Sequence, residues 1–475
     1  MPQILYKGKT FFAEKGQVLV HALIQNGDAT DHPCGGKGIC KRCTVKVNGK
    51  PQLSCKYIVE TDIVVEDMGE KEVFSFIGAE ETGEVTENMC FCLDIGTTTM
   101  ALALVSLDNK SVVKTVAATN PQRIFSADVI SRIEYSVNNS FCEMHLKLLE
   151  QINRIIAELS EEDVKTVVTG NTVMLSIYLG VEIESMGKYP YTPKELFGKE
   201  MTVSDKKVYL PRCISAFIGA DIYCGLIASG IYNKERAVLI DIGTNGEIVL
   251  KNKEKFICTS AAAGPAFEGA GLSCGMGAYE GAVSKVYAQG TNLRYKTIGK
   301  AKPTGICGSG IIDFISQLKI YNVLSEEGII NKEGHPFTHL IYEVDGEKRI
   351  YLSDCDIYIT QKDIYNILLA KSAILSSLET VIEEEQLDYN HIECVYLSGG
   401  FANYMDIESA VKIGLIPFEL KEKIEIIGNG AGMGALILSQ NLKVKIKDAE
   451  FNVIELNNSS HFNEKFIKNL NIKKV

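Results

Sequence analysis

Apolar and polar positions alternate along this chain on two different periods, and the place where the period changes divides it. Near the start, QILYK and KTFFAEK predict two short strands, VLVHALIQN an amphipathic helix, and TVKVNGK a strand running into an Asn-Gly turn. Residues 1–76 are therefore expected to form a small β-rich unit with one helix. The next stretch, IGAEETGEVTENM at 77–89, collects acids and glycine without any period and reads as a linker. From Cys90 onward, apolar strands alternate with longer helical stretches such as DIYNILLAKSAILSSLETVIEEE, the pattern of α/β architecture. Beyond residue 441 the tail reads as a strand, a polar turn and a terminal helix, with no chemistry of its own.

One pattern occurs twice. CLDIGTTTMALALVSL and LIDIGTNGEIVL each run apolar strand, Asp-Ile-Gly-Thr turn, apolar strand, with Asp94 and Asp241 at matching positions. Their separation exceeds any solenoid repeat, so a duplicated α/β domain is expected. It would form two facing lobes, 90–235 and 236–440, with 441–475 as an extension.

At 46% hydrophobic, the 475 residues can core several domains. Lys and Arg number 49 against 60 Asp and Glu, a formal charge of −11. That leaves no chain-wide basic field to displace counterions, so nucleic acid is not an expected partner. No window reaches the ~18 consecutive apolar residues of a membrane span, and a cytoplasmic chain without membrane contact is expected. The 14 cysteines are too sparse for the disulfide scaffold of a small secreted domain. They imply a reduced compartment, with some thiols binding metal.

Four of them cluster. Cys34, Cys40, Cys43 and Cys55 are spaced C-x5-C-x2-C-x11-C, with Gly35, Gly36 and Gly38 inside the first gap. Structural zinc usually takes two C-x2-C knuckles and only one is present, at Cys40 and Cys43, so zinc is the weaker reading. The glycines let the backbone wrap a bulky cluster and aim N–H groups at its sulfurs. The order resembles the plant-type ferredoxin loop with its first gap one residue longer. A [2Fe–2S] cluster on all four thiolates is expected. Lys37, Lys41 and Arg42 are surface charge, or a docking patch for an acidic redox partner. The other ten cysteines read as small buried hydrophobes.

A strand ending in Asp and followed by Gly-Thr-Thr-Thr offers backbone N–H groups, hydroxyls and a carboxylate, the parts needed around a magnesium-bound polyphosphate. Gly96 permits close approach, Thr97, Thr98 and Thr99 donate hydrogen bonds, and Asp94 holds Mg²⁺ through water. One such hairpin alone would be unremarkable. The second copy, with Asp241, Gly243, Thr244 and Asn245, lets two opposed turns close on one phosphate chain. Glycine-rich turns follow at 216–222, 260–277, 305–313, 397–403 and 428–435, among them Gly264 and Gly308. Gly399 and Gly400 follow the apolar strand CVYL, where bare backbone would receive a nucleoside. Glu247 either orients the attacking water or is a surface carboxylate after a hairpin.

With these turns in order, the chain resembles the actin, hexokinase and Hsp70 superfamily of ATPases. The strings TNPQRIFSADVISRIEY, GNTVMLSIYLG, DIGTNGE, AAGPAFEGA, GICGSGIID, ITQKDI, SGGFANY and GNGAGMGA are similar to the ATP-dependent reductive activators of corrinoid proteins. That resemblance covers nearly all of Cys90 to Gln440, and the four-cysteine loop belongs to the same pattern. Longer members carry extra sequence between cluster and ATPase, which this chain lacks. The resemblance implies an α+β, β-grasp ferredoxin-like domain followed by a two-lobed α/β actin-like ATPase of duplicated RNase H-like subdomains.

It further implies an enzyme that uses ATP and Mg²⁺ to reduce a Co(II) corrinoid protein, or a corrinoid-dependent methyltransferase component, to Co(I). Asp94, Asp241 and Glu247 would be catalytic, and a low-potential donor would feed the cluster. Each 59 mV of adverse one-electron potential is about a factor of ten in equilibrium, so a cluster near about −400 mV needs ATP to reach a lower cobalt couple. A homodimer is compatible with the sequence. The alternatives are an activator of a 2-hydroxyacyl-CoA dehydratase, which needs no ferredoxin-like domain, a small-molecule kinase, which needs no cluster, and a non-catalytic nucleotide-gated redox protein.

Overall fold

A computed structural model describes residues 1–26, 43–66, 81–126, 128–159, 164–278, 280–400, 402–444, 446 and 449–472. The amino-terminal unit contains β1 (Gln3–Tyr6), β2 (Lys9–Phe12), β3 (Gln17–Val18), α1 (Leu19–Gln25), β4 (Thr44–Val47), β5 (Lys50–Leu53), β6 (Ile58–Val59) and β7 (Ile63–Glu66). Its main sheet runs β2-β1-β7-β4-β5, with β1 and β7 parallel at the centre. Alternate residues Ile4, Tyr6, Val45, Val47, Ile63 and Val65 face Leu19 and Leu23 of α1 in one core. The β4–β5 hairpin closes on Asn48 and Gly49, both at positive φ (49° and 77°), the pair a type I′ turn requires. A helix laid on a sheet with a parallel central pair is the β-grasp arrangement.

Residues 81–83 lie along the edge of the next sheet, Gly83 donating to the Val112 carbonyl at 2.9 Å. That sheet comprises β8 (Met89–Ile95), β9 (Thr99–Ser106), β10 (Ser111–Thr119), β11 (Lys165–Gly170), β12 (Phe197–Val203) and β13 (Lys206–Arg212), in the order β10-β9-β8-β11-β13-β12. The helices α2 (Val129–Asn138), α3 (Phe141–Leu159) and α4 (Thr172–Tyr178) cover its outer face, and α5 (Ala220–Ser229) follows it.

The second lobe begins with β14 (Arg236–Ile242), β15 (Gly246–Asn252) and β16 (Lys255–Ala261). There follow β17 (Ala282–Gln289), β18 (Asn292–Thr297), β19 (Gly305–Ile306), α6 (Gly308–Ile320), β20 (Ile341–Val344), β21 (Glu347–Tyr351), β22 (Tyr358–Thr360) and α7 (Gln361–Glu384). The lobe is completed by β23 (Cys394–Ser398), α8 (Ile407–Lys412), β24 (Ile424–Gly428), α9 (Gly430–Gln440), β25 (Glu450–Val453) and α10 (Ser460–Asn469). Its main sheet is β24-β23-β14-β15-β16-β25. Apart from β12 and β25, the two sheets have the same order: a central first strand, an antiparallel meander on one side and parallel strands on the other. The tail belongs to the second lobe, because β25 pairs in parallel with β16 and α10 lies on α7 through Asn469 Nδ2, which donates to Glu379 Oε2 at 2.8 Å. Among the described residues no helix is long and apolar enough to cross a membrane.

Between the sheets lie α5 and α9. Ala435, Leu436 and Leu438 of α9 pack with Cys90, Cys92, Ala101 and Ala103 of the first sheet, while Ile222 and Leu226 of α5 pack on Leu239, Val249 and Tyr396 of the second. Both helices are apolar nearly all round because each is covered on more than one side. They meet backbone to backbone: a Cβ on Gly434 would fall 2.1 Å from the Cys224 carbonyl oxygen, and one on Gly430 would fall 3.2 Å from Gly225 Cα. Gly434→Ala is therefore expected to cost roughly 1–3 kcal/mol or more by overpacking. Gln440→Ala at the exposed end of α9 should stay within about 0.5 kcal/mol, both read by urea unfolding.

Candidate functional site

The two Asp-Ile-Gly-Thr strands end on the same cleft between the lobes. In β8, Asp94 stands opposite Ala101 of β9 and Thr169 of β11; in β14, Asp241 stands opposite Glu247 of β15 and Ser398 of β23. The second lobe alone thus adds a further carboxylate beside its aspartate. A fourth comes from Asp221 in the first turn of α5.

Hydrogen bonds hold these groups. Ser398 Oγ donates to Asp241 Oδ2 at 2.6 Å and Ser260 Oγ to Glu247 Oε1 at 3.1 Å. Asn429, the residue that caps α9, donates from Nδ2 to Asp94 Oδ2 at 3.2 Å and so ties the second lobe to the first. Burial pushes the Asp94 carboxyl up to about 7, with Asp241 adding to the rise against the Asn429 hydrogen bond. Burial likewise takes Asp221 to about 7, aided by the charges of Asp241 and Asp94. Asp241 is raised by burial, and Glu247 is raised well above the carboxylate range by burial and then by Asp221 and Asp241. Burial together with neighbouring aspartates thus raises Asp94, Asp221 and Glu247, and burial raises Asp241; among the described residues no three such side chains stand close enough to grip a metal ion directly.

The turns differ in how they are held. In the first, Asn120 Nδ2 donates to the Gly96 carbonyl at 2.8 Å, Arg132 Nη2 to the Thr97 carbonyl at 2.6 Å and the Asn120 N–H to the Thr98 carbonyl at 3.0 Å. Asn171 Nδ2 donates to Thr97 Oγ1 at 3.1 Å, and Thr99 opens β9. In the second, the Gly243 N–H donates to the Asn245 carbonyl at 2.9 Å, and Thr244 Oγ1 donates to Glu268 at 3.1 Å. Glu268 sits on a short turn that follows Gly264. Gly399 has φ 103°, and a Cβ there would lie 2.6 Å from the Ile242 carbonyl oxygen; Gly170 (φ 151°) stands in the same relation to Ile95. Each lobe thus presses a glycine against the end of its Asp strand, and Gly400 follows Gly399 at the cleft end of β23. Gly308 opens α6, where the neighbouring Cys307 N–H donates to Val283 of β17; among the described residues no hydrogen bond joins Gly308 to the carboxylates.

Of the clustered cysteines, Cys34 and Cys40 lie outside the described residues. Cys43 and Cys55 flank the β4–β5 hairpin and are both buried beside Val20. Burial, reinforced by the neighbouring Cys55 side chain, pushes the Cys43 thiol up to about 11. Seven of the other ten are buried, Cys274 and Cys355 are half-buried, and Cys142 on α3 is exposed. Two polar groups of the cleft went unsingled in the sequence. Asp221 and Asn429 lie within the glycine strings AFIGADI and GNGAGMGA, where only the glycines drew attention.

Comparison with known proteins agrees with this architecture. Residues 235–475 match the family described as the C-terminal domain of RACo, the ASKHA domain, and 89–234 match the RACo middle region. The corrinoid activation enzyme RamQ of Eubacterium limosum is 31% identical over 394 residues, 76% of this chain and 66% of that protein. The Co(II) methylated amine-specific corrinoid protein reductase of Methanosarcina barkeri is 28% identical over 383 residues, 71% of this chain and 67% of its own length. The chain therefore spans about two thirds of these curated relatives. A solved structure named reductive activator for corrinoid, iron-sulfur protein superposes with a TM-score of 0.75 at 25% identity, covering 100% of this chain and 99% of that one.

The raised carboxyls predict a pH dependence. Unfolded, they titrate near about 4; folded, Asp94 and Asp221 keep their protons to about 7. The folded chain binds more protons across that window, so their contribution to stability falls as pH rises from about 4 to about 7. In EDTA, Asp94→Asn and Asp221→Asn should flatten that fall in the thermal midpoint. Added Mg²⁺ should raise the midpoint at pH 8 and do little at pH 5, where protons occupy the oxygens. Equal Mg²⁺ shifts at both values would remove the carboxylates as the cation site.

Proposed function

The chain belongs to the RACo family, and on that footing we propose that it is an ATP-dependent reductive activator that takes a partner corrinoid protein from Co(II) to Co(I) by one electron. One observation carries the reading: four carboxylates from two duplicated lobes converge in a cleft that the Asn429–Asp94 hydrogen bond spans, in a chain that begins with a β-grasp unit holding paired thiols. The names of the relatives, a corrinoid activation enzyme and a corrinoid protein reductase, supply the partner class.

In this reading Asp94 and Asp241, with Asp221 beside them, would hold Mg²⁺ through water beside the polyphosphate. Thr97, Thr98, Thr244 and Asn245 meet the phosphates from opposite lobes, and Gly399 and Gly400 leave room for the nucleoside. Glu247, set beside Asp241 by the strand register and held by Ser260, would orient the attacking water. Cys34, Cys40, Cys43 and Cys55 would hold a [2Fe–2S] cluster, which when bound supplies a one-electron carrier. The described pair fits: the thiols are adjacent, sheltered from water and set at the two ends of the β4–β5 hairpin, and they would give up their protons on binding. Nucleotide acts on the partner through the lobes. A closed state that binds one redox form of the corrinoid protein better than the other shifts the equilibrium by that difference and no more, and hydrolysis resets it.

Two experiments test this. Anaerobically purified protein should carry about two irons per chain. Ser at Cys34, Cys40, Cys43 or Cys55 should bleach it while Cys394→Ser does not, and a colourless zinc protein would end the cluster assignment. In mixtures of reductant, this protein and a Co(II) corrinoid protein shown to bind it, Co(I) should form only with hydrolysable ATP and Mg²⁺, and not with Asp241→Ala. Equal rates with and without ATP would reject the coupling.

A further inference from the structure

The first phosphate turn is backed by a buried cation. Arg132 on α2 is fully buried, and each nitrogen of its guanidinium has an acceptor: Nε donates to the Ser126 carbonyl at 3.2 Å, Nη1 to Met174 Sδ at 3.0 Å and Nη2 to the Thr97 carbonyl at 2.6 Å. None of these acceptors is charged, and among the described residues Arg132 makes no ion pair. Asp128 directs its carboxylate to Ser131, with Oδ1 accepting from the N–H at 2.9 Å and Oδ2 from the hydroxyl at 2.8 Å. Burial, with the charge of Arg123 and against the attraction of Asp128, lowers Arg132 to about 9, which leaves it protonated at neutral pH. Burying a charge without a direct ion pair is costly, and an apolar side chain of similar volume would usually serve packing as well or better.

What this charge faces explains its place. In a trans peptide the C=O and the following N–H point in opposite directions. The carbonyls of Gly96, Thr97 and Thr98 are all held from within the lobe, by Asn120 and Arg132. The N–H groups of Thr97 and Thr98 therefore point away from the lobe's core, and among the described residues no backbone carbonyl accepts from either.

We propose that Arg132 is a positioning residue that prepares the first turn for a polyphosphate: its charge-assisted hydrogen bond fixes the Thr97–Thr98 peptide with its N–H outward, polarises that N–H, and leaves a net positive charge behind the turn. In the second turn the corresponding hydrogen bond is to an anion: Thr244 is tied to the Glu268 carboxylate. The ligand chemistry is a polyphosphate chain and not the nucleoside, and the inference rests on the nucleotide-binding reading given above.

Binding of Mg-ATP, Mg-ADP and adenosine to the full-length, anaerobically purified protein tests it by calorimetry, alongside the thermal midpoint. Arg132→Met should weaken Mg-ATP by roughly ten- to a hundredfold, the loss of one charge-assisted hydrogen bond. Adenosine should stay within about twofold, the midpoint should not fall, and Arg132→Lys should regain part of the ATP affinity. Unaltered ATP affinity in Arg132→Met, with or without a lowered midpoint, overturns the proposal, as does an equal loss of ATP and adenosine. Where the Met variant does not fold, Arg132→Lys decides alike: a loss selective for ATP supports the role, and an equal or absent loss overturns it. Wild-type protein that binds no Mg-ATP would instead overturn the nucleotide reading itself.

Discussion

The close approach of α5 and α9 sets the geometry of everything around the cleft. Because Gly225, Gly430 and Gly434 carry no side chains, the helices meet at their backbones, and both sheets can close on a layer one helix thick. The same crossing delivers chemistry. Asp221 occupies the first turn of α5 and Asn429 caps α9, so the beginnings of both helices turn toward the strand ends that carry Asp94 and Asp241. A helix N-terminus favours negative charge, which suits a cleft that gathers carboxylates and would receive a polyanion.

Duplication supplied two similar halves, and the differences between them assign their tasks. Opposite Asp94 the neighbouring strand offers Ala101; opposite Asp241 it offers Glu247, with Ser260 to hold it. A second carboxylate beside the strand-end aspartate is thus a feature of the second lobe and not of the first. The first lobe instead has its turn anchored at three successive carbonyls, which suits grip more than chemistry. The two sides of the cleft are joined by the Asn429–Asp94 hydrogen bond, and burial holds the carboxyls on both sides above their usual range.

Local pattern made the β-grasp strands, the Asn48–Gly49 turn, the long α7 and the twin Asp strands legible, because each is specified by residues close in sequence. Asp221 and Asn429 were hidden for a physical reason. Their helices are covered on several sides and show no amphipathic stripe, so only their glycines stood out. Arg132 was hidden by the ordinary expectation that an arginine is solvated. The tail reads as strand and helix from its own residues, but its membership of the second lobe is decided by pairing of β25 with β16, a contact between segments far apart in sequence. Glu247 could be read two ways until the register placed it beside Asp241.

The placement of α9 also bears on how the chain is made. Cys90, Cys92, Ala101 and Ala103 of the first lobe are covered by residues 435–438. The share of that cover that α9 supplies is synthesised long after the strands it shields, and β25, which pairs with the second sheet, is later still. Throughout that interval the nascent first lobe presents an apolar sheet face, the kind of surface that aggregates or engages chaperones. Loss of α9 should accordingly harm the first lobe of the ATPase as much as the lobe to which α9 is joined in sequence.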